Sequence, residues 1–364
     1  MDIPIHWDVI RRRIRGYALP LFLFLAMAIG GATRSIPISI ALLQVVSCGL
    51  LAWVIFDSSL NSLRPRAWAM VFIFVAFLGY AILQLIPLPS ALWTQLPGRD
   101  EVANAFDLIG AAPRAMPISL TPQVSLAALL QLVPAVAVFL LAAKLRWSEM
   151  SRHVEWSIPL VACISVFVGL AQIQYPEVDA LYVRNEVVRG QAMGLMQVVN
   201  HNATLMLISI PFLALAAKRL AIRFAIGDPD HAASIFVALM FATITVGVVA
   251  TGSVAGYLLA PPTMFLSLFV LQSQQSGMAF KVLSLFAASL ITIIVFLVVN
   301  NPNLSGIGVT DLSQSPLSRL SIYENTLEAI KDHLPWGTGI GSFGSIYPSY
   351  ENLDEITQAF IASA

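Results

Sequence analysis

The sequence predicts an all-α, polytopic integral membrane protein, a helical bundle of about nine spans with a large outer loop that contains an amphipathic helix. The first observation is composition. The 364 residues are 58% hydrophobic and 11% charged, with a mean hydropathy of +0.80, whereas a soluble domain carries about 25% charged residues. The second is that apolar runs close to the roughly 20 residues needed to cross a bilayer recur along the chain. The third is the placement of its bases. With the N-terminus in the cytoplasm, thirteen of the 20 Lys and Arg fall on the cytoplasmic side and seven outside, as the positive-inside rule requires. The net charge of zero gives no global pull toward nucleic acid. Cys48 and Cys163 lie inside apolar runs, so neither a disulfide framework nor a metal site is expected.

Taken in order, the spans are Tyr17–Ala32, Ile36–Phe56, Ala67–Pro87, Val124–Ala143, Trp156–Tyr175, Val198–Ala217, Ala233–Ala250, Val254–Leu271 and Val282–Val299. Arg11, Arg12, Arg13 and Arg15 precede an apolar run with Ala26-Met27-Ala28, which resembles a signal peptide. So many spans follow that an uncleaved first helix is the better reading. Very short turns join the first two spans and the pair around Thr251-Gly252-Ser253. The inner loops are short and basic, as plain connectors are. Three outer loops remain: Leu88–Gln123, which opens with Pro87-Leu88-Pro89 and Trp93 and then runs polar; Pro176–Gln197, which carries Arg184 and Arg189; and Asn300–Ala364. This divides the chain into a bundle, 1–299, and a loop region, 300–364.

Within the last loop, Ser315 suits a helix N-cap and Pro316 the first helical position. Leu320, Tyr323, Leu327, Ile330 and Leu334 recur at spacings of three and four, so they share one face, while Arg319, Glu324, Asn325, Glu328 and Lys331 fall outside it. Such a helix either packs on the membrane-embedded body or lies in the lipid interface. His333 is read as a cation at the helix C-terminus, and Pro335 ends the helix. Gly337, Gly339 and Gly341 then let the backbone turn and pass close to another element.

The motifs of soluble enzymes are missing: no HExxH, GxxxxGK[ST] or GxSxG occurs. Gly337-x-Gly339-x-Gly341 follows a helix rather than a strand, which excludes the dinucleotide reading. Arginines on the outer face are the stronger signal, because a guanidinium grips phosphate bidentately and keeps its charge near lipid. Arg184 and Arg189 precede a span and Arg319 opens the loop helix. Each has a bland alternative, snorkelling or pairing with Glu177, Asp179 or Glu186. Two arginines on one short loop, against the positive-inside trend, favour a functional Arg189. Asn200-His201-Asn202 opens a span at its outer mouth, where polar groups either bond neighbouring helices or line a wet cavity. Packing suits Asn202, and His201 is a possible ligand contact.

These residues resemble the O-antigen ligase and polymerase-like family of bacterial envelope glycosyltransferases. Arg189, Gly194 and Asn200-His201-x-Ala203 are similar to that family's basic residue, glycine and opening of a span. Thr251-x-Ser253 resembles its turn between two spans. Arg319, Pro335-Trp336-Gly337-x-Gly339-x-Gly341-x-Phe343 and Tyr347-Pro348 resemble its large outer loop. The resemblance implies a multi-pass protein of the bacterial inner membrane with its loops in the periplasm and no cofactor. The implied partners are an undecaprenyl-pyrophosphate-linked glycan, a lipid A–core or glycan acceptor, and membrane lipids. Arg189, Arg319, Arg184, Asn200 and His201 are then candidates for donor binding. The family's catalytic histidine, usually followed by Asn, would come just after Phe360–Ala364, and Val254 stands where the family usually has Arg. The expectation is therefore a C-terminally truncated ligase-like chain, inactive as it stands, with no catalytic residue present. A polysaccharide polymerase and a protein O-glycosyltransferase are the alternatives within the class. A transporter or non-catalytic membrane partner is the alternative outside it, although almost no charge lies inside the nine spans.

Overall fold

A computed structural model describes residues 7–30, 37–57, 65–144, 147–182, 189–196, 198–271 and 311–351. Its elements in order are α1 (Trp7–Gly30), α2 (Pro37–Phe56), α3 (Pro65–Leu83), β1 (Pro87–Leu88), α4 (Ser90–Trp93), α5 (Asp100–Leu108), β2 (Met116–Pro117) and α6 (Pro122–Gln131). They continue with α7 (Val133–Lys144), α8 (Trp147–Gln174), α9 (Val199–Ala225), α10 (His231–Ala250), α11 (Val254–Leu271), α12 (Asp311–His333) and α13 (Phe343–Ile346). Five apolar stretches, Ile38–Phe56, Pro122–Lys144, His153–Gln174, Val199–Ala225 and His231–Ala250, are long enough to cross a membrane; Gly16–Gly30, Trp68–Leu83 and Val254–Ser267 are shorter. The chain is thus an all-α polytopic membrane protein. The expected ninth span, Val282–Val299, lies outside the described residues.

Several boundaries differ from expectation for physical reasons. α8 starts at Trp147 and α9 continues through Lys218, Arg219 and Arg223 to Ala225. A helix does not stop where hydrophobicity stops, and long basic side chains can reach water beyond the apolar layer. The span expected at Val124–Ala143 is two helices, α6 and α7, meeting at Leu132. Pro134 lacks the N–H that a continuous helix would use, and Leu132 closes a tight turn onto the Leu129 carbonyl at 3.1 Å. α12 begins at Asp311, so Ser315 and Pro316 lie inside it and Ser315 is not its cap.

The chain divides into two compact units, Met1–Ser62 with Val136–Val309 and Leu63–Ala135 with Thr310–Ala364. In the first, α8, α9, α10 and α11 share a core that includes Val161, Ile210, Leu213, Ile244, Val248 and Ala260. A smaller cluster joins Leu19 and Phe22 of α1, Leu43 and Val54 of α2, and Leu141 of α7. Phe167, Ile208, Leu239 and Leu258 are exposed on the bundle exterior, where lipid rather than water is their solvent. In the second unit, β1 and β2 pair antiparallel, Pro87 with Pro117 and Leu88 with Met116. Trp93 is fully buried, and its Nε1 donates to the Arg114 carbonyl at 2.7 Å. The loop after α3 that reads as merely polar is therefore an ordered lobe around that indole.

Candidate functional site

In the first unit the site grows from the start of α9. Asn202 is fully buried there. Its Nδ2 donates to the Ala192 carbonyl at 2.8 Å, and its Oδ1 accepts from Ser165 Oγ at 2.7 Å. Ser165 Oγ also accepts from the Leu195 N–H at 2.9 Å. About two helical turns further along α8, Gln172 accepts the Gly194 N–H at 2.8 Å and donates to the carbonyls of Leu181 at 2.9 Å and Gly194 at 3.1 Å. These bonds strap the segment before α9 onto α8 and supply partners to buried backbone groups that lipid cannot. Gly194 sits at φ +59°, and a Cβ there would lie 2.2 Å from Ser165 Oγ and 2.5 Å from the Ser165 carbonyl oxygen. Only glycine permits that backbone conformation so close to α8.

Asn200 is brought to the α10–α11 turn. Ser253 Oγ donates to Asn200 Oδ1 at 2.6 Å and accepts the Gly256 N–H at 3.0 Å, capping α11. Thr251 Oγ1 donates to the Val248 carbonyl at 2.7 Å and accepts the Ser253 N–H at 3.3 Å. The Thr-x-Ser pattern is thus a hydrogen-bonded turn that carries the Asn200 carboxamide. His201 is exposed on the same first turn of α9. Arg189 is held in its own loop: Nη2 donates to the Asp179 carboxylate, Nη1 to the Pro176 carbonyl at 3.4 Å, and the guanidinium carbon stands 5.4 Å from the Tyr182 ring centroid. Arg189 and Asp179 are 48% and 82% exposed, and such an open pair contributes only about 0–1 kcal/mol. A ligand of higher negative charge can replace that carboxylate. Arg184 lies outside the described residues. Arg319 lies in α12, in the second unit.

In the second unit the glycine-rich segment after α12 is gripped by the end of α3. Gln84 is buried; its Nε2 donates to the Trp336 carbonyl at 3.1 Å and its Oε1 accepts the Ile340 N–H at 3.2 Å. Tyr80 donates to the same Trp336 carbonyl at 2.6 Å, and the Leu120 N–H donates to the Thr338 carbonyl at 2.9 Å. Gly339, at φ +110°, passes so close that a Cβ would meet Ser119 Oγ at 2.4 Å and Ser125 Oγ at 2.8 Å. The close approach expected of these glycines is thereby located. His333 is buried, with Nδ1 2.9 Å from the Ala329 carbonyl of the last turn and its ring against Gly98. It therefore packs as well as caps. Burial, then the hydrogen bond to Asp332, pushes the neighbouring Tyr350 phenol up to about 12.

Sequence reasoning missed Ser165, Gln172 and Gln84, polar residues in or at the ends of apolar helices, although an intramembrane polar group is itself a signal. It also missed Arg99, which is 1% exposed with Nη2 on the Ile118 carbonyl and Nη1 without a hydrogen-bond partner. Burial pushes that guanidinium down from the ordinary arginine value.

Residues 238–362 match a family model described as O-antigen ligase. The matched stretch takes in α10 from Ala238 onward, the Thr251–Ser253 turn, α11, Arg319 and the glycine-rich segment; Arg189, Asn200 and His201 precede it. No curated protein and no solved structure matches the chain.

Proposed function

We propose, from the match of residues 238–362 to a family model described as O-antigen ligase, that the chain is a membrane glycosyltransferase of the ligase or polymerase type. It handles a glycan carried on undecaprenyl pyrophosphate at the periplasmic face of the inner membrane, with the N-terminus in the cytoplasm. On the ligase reading the acceptor is lipid A–core; on the polymerase reading it is another glycan. The departing group in such a transfer is a lipid diphosphate, and fixed cations aimed at it stabilise the charge that develops. Arg189 is the residue proposed for that role in the first unit, with Arg184, Asn200 and His201 as further donor contacts, and Arg319 is proposed as a phosphate contact of the second unit in its own right.

The family match is the observation that carries this reading. Arg189 adds to it, standing on a strapped loop beside an exposed carboxylate that a diphosphate can displace. The test is ligand selectivity. Undecaprenyl pyrophosphate is titrated into the full chain in detergent micelles, with the uncharged polyprenol as comparison and binding followed by native mass spectrometry. The diphosphate lipid is expected to bind at least about tenfold more tightly, the equivalent of about 1.4 kcal/mol. Equal affinity for the two lipids would remove the phosphate-recognition claim.

A further inference from the structure

We infer that α12 is an interfacial anchor whose apolar stripe is embedded among phospholipids at the end of α3 that carries Tyr80 and Gln84. The helix has three sides rather than two. Ile322, Ala329 and His333 are buried or half-buried, turned toward the rest of the second unit. Glu324, Glu328, Lys331 and Asp332 form an exposed charged side. Between them run Leu320, Tyr323, Leu327, Ile330 and Leu334, which are 47–63% exposed. A helix lying where protein, lipid and water meet shows this arrangement; a helix surrounded by water on its free sides has no use for the third strip.

Depth is set by hydrogen bonds within the same unit. Both Tyr80 and Gln84 donate to the Trp336 carbonyl, fixing the C-terminal end of α12 beside the last turn of α3. The exposed surface of α3 is itself apolar, with Phe72, Ile73, Phe77, Ile82 and Leu83 outward, followed by Ile86. The stripe on α12 therefore belongs to the same unit as a second exposed apolar surface, the one on α3, which suits the same solvent. Tyr323 and Trp336 are also exposed, and their amphipathic rings suit headgroup depth. The charged side holds three acids to one base, Glu324, Glu328 and Asp332 against Lys331, so attraction to anionic headgroups is not the driving force. Burial of apolar area is.

The experiment places single cysteines in the full chain carrying C48A and C163A, labelled with an environment-sensitive fluorophore in phosphatidylcholine nanodiscs. Labels at Leu327→Cys and Ile330→Cys are expected to be quenched several-fold more by nitroxide-bearing lipid than labels at Glu324→Cys and Glu328→Cys. The latter pair is expected to respond to aqueous iodide, and neither pattern should change with salt. Equal quenching on the two sides would overturn the inference. So would a Leu327 label shielded from both quenchers, the outcome for a stripe covered by protein or by a second copy of the chain. If Leu327→Cys does not fold, Leu320→Cys reads the same strip about two turns away.

Discussion

Substituting Gly194 with alanine lowers the unfolding free energy of the detergent-solubilised protein by about 2–5 kcal/mol. That figure combines about 1–2 kcal/mol for a non-glycine residue in the left-handed region with about 1–3 kcal/mol for overpacking. The clash is not with a flexible tip. The new methyl group meets the Ser165 carbonyl oxygen at 2.5 Å as well as its Oγ, so α8 or the loop must move. Moving either breaks the bonds from Ser165 to Leu195 and Asn202 and those from Gln172 to Gly194. The expected readout is a lowered denaturation midpoint, together with faster hydrogen exchange confined to residues 189–196. Gly79→Ala is the matched control: it is helical, with nothing within 4 Å of the added carbon, and its midpoint should be unchanged or raised. A Gly194→Ala protein as stable as the parent would mean that the loop is not strapped to α8 as described.

Replacing Gln84 by leucine is expected to release the glycine-rich segment of the second unit. The leucine keeps the volume and removes a donor and an acceptor at once. The Trp336 carbonyl retains its bond from Tyr80, while the Ile340 N–H loses its acceptor. An orphaned backbone group shielded from water costs about 1–3 kcal/mol, and the segment is then left with the bonds from Tyr80 to Trp336 and from Leu120 to Thr338. Hydrogen exchange over 336–342 should accelerate by one to two orders of magnitude, about 1.4 kcal/mol for each tenfold, with α8–α11 unaffected. Gln84→Glu is the informative companion. It keeps an acceptor for Ile340 but cannot donate to Trp336, so an intermediate rate is expected. No change in either variant would show that Gln84 does not grip the loop.

Much of this architecture was legible because lipid imposes simple rules. Long apolar runs become helices since no other backbone satisfies itself in hydrocarbon, and the runs that form α2, α9 and α10 announce themselves. Asn202 could be read as packing because a polar group at a helix mouth needs partners. The three glycines after Pro335 could be read as a close approach because little else tolerates one. What sequence did not disclose depends on tertiary context. The break at Leu132 is one proline inside a run that hydropathy treats as continuous. The Trp93 lobe is built by an indole finding the Arg114 carbonyl, a partner 21 residues away that no periodicity encodes. Whether the Leu320–Leu334 stripe faces protein or lipid was undecidable from spacing, since both environments select the same residues. Sequence favours a functional Arg189 over one paired with Glu177, Asp179 or Glu186, and in the structure Asp179 and Tyr182 do hold it; in sequence, a neighbouring carboxylate and a ligand phosphate leave the same trace.

The proposal that outer-face guanidinium groups receive a lipid-borne diphosphate is tested most directly by measuring undecaprenyl pyrophosphate affinity in the Arg189→Ala and Arg319→Ala proteins, each as the full chain in the same membrane mimetic. Each substitution should weaken binding by about tenfold, near 1.4 kcal/mol, while the denaturation midpoint stays at that of the parent. Affinity unchanged in both variants would contradict the account and withdraw both arginines as donor contacts.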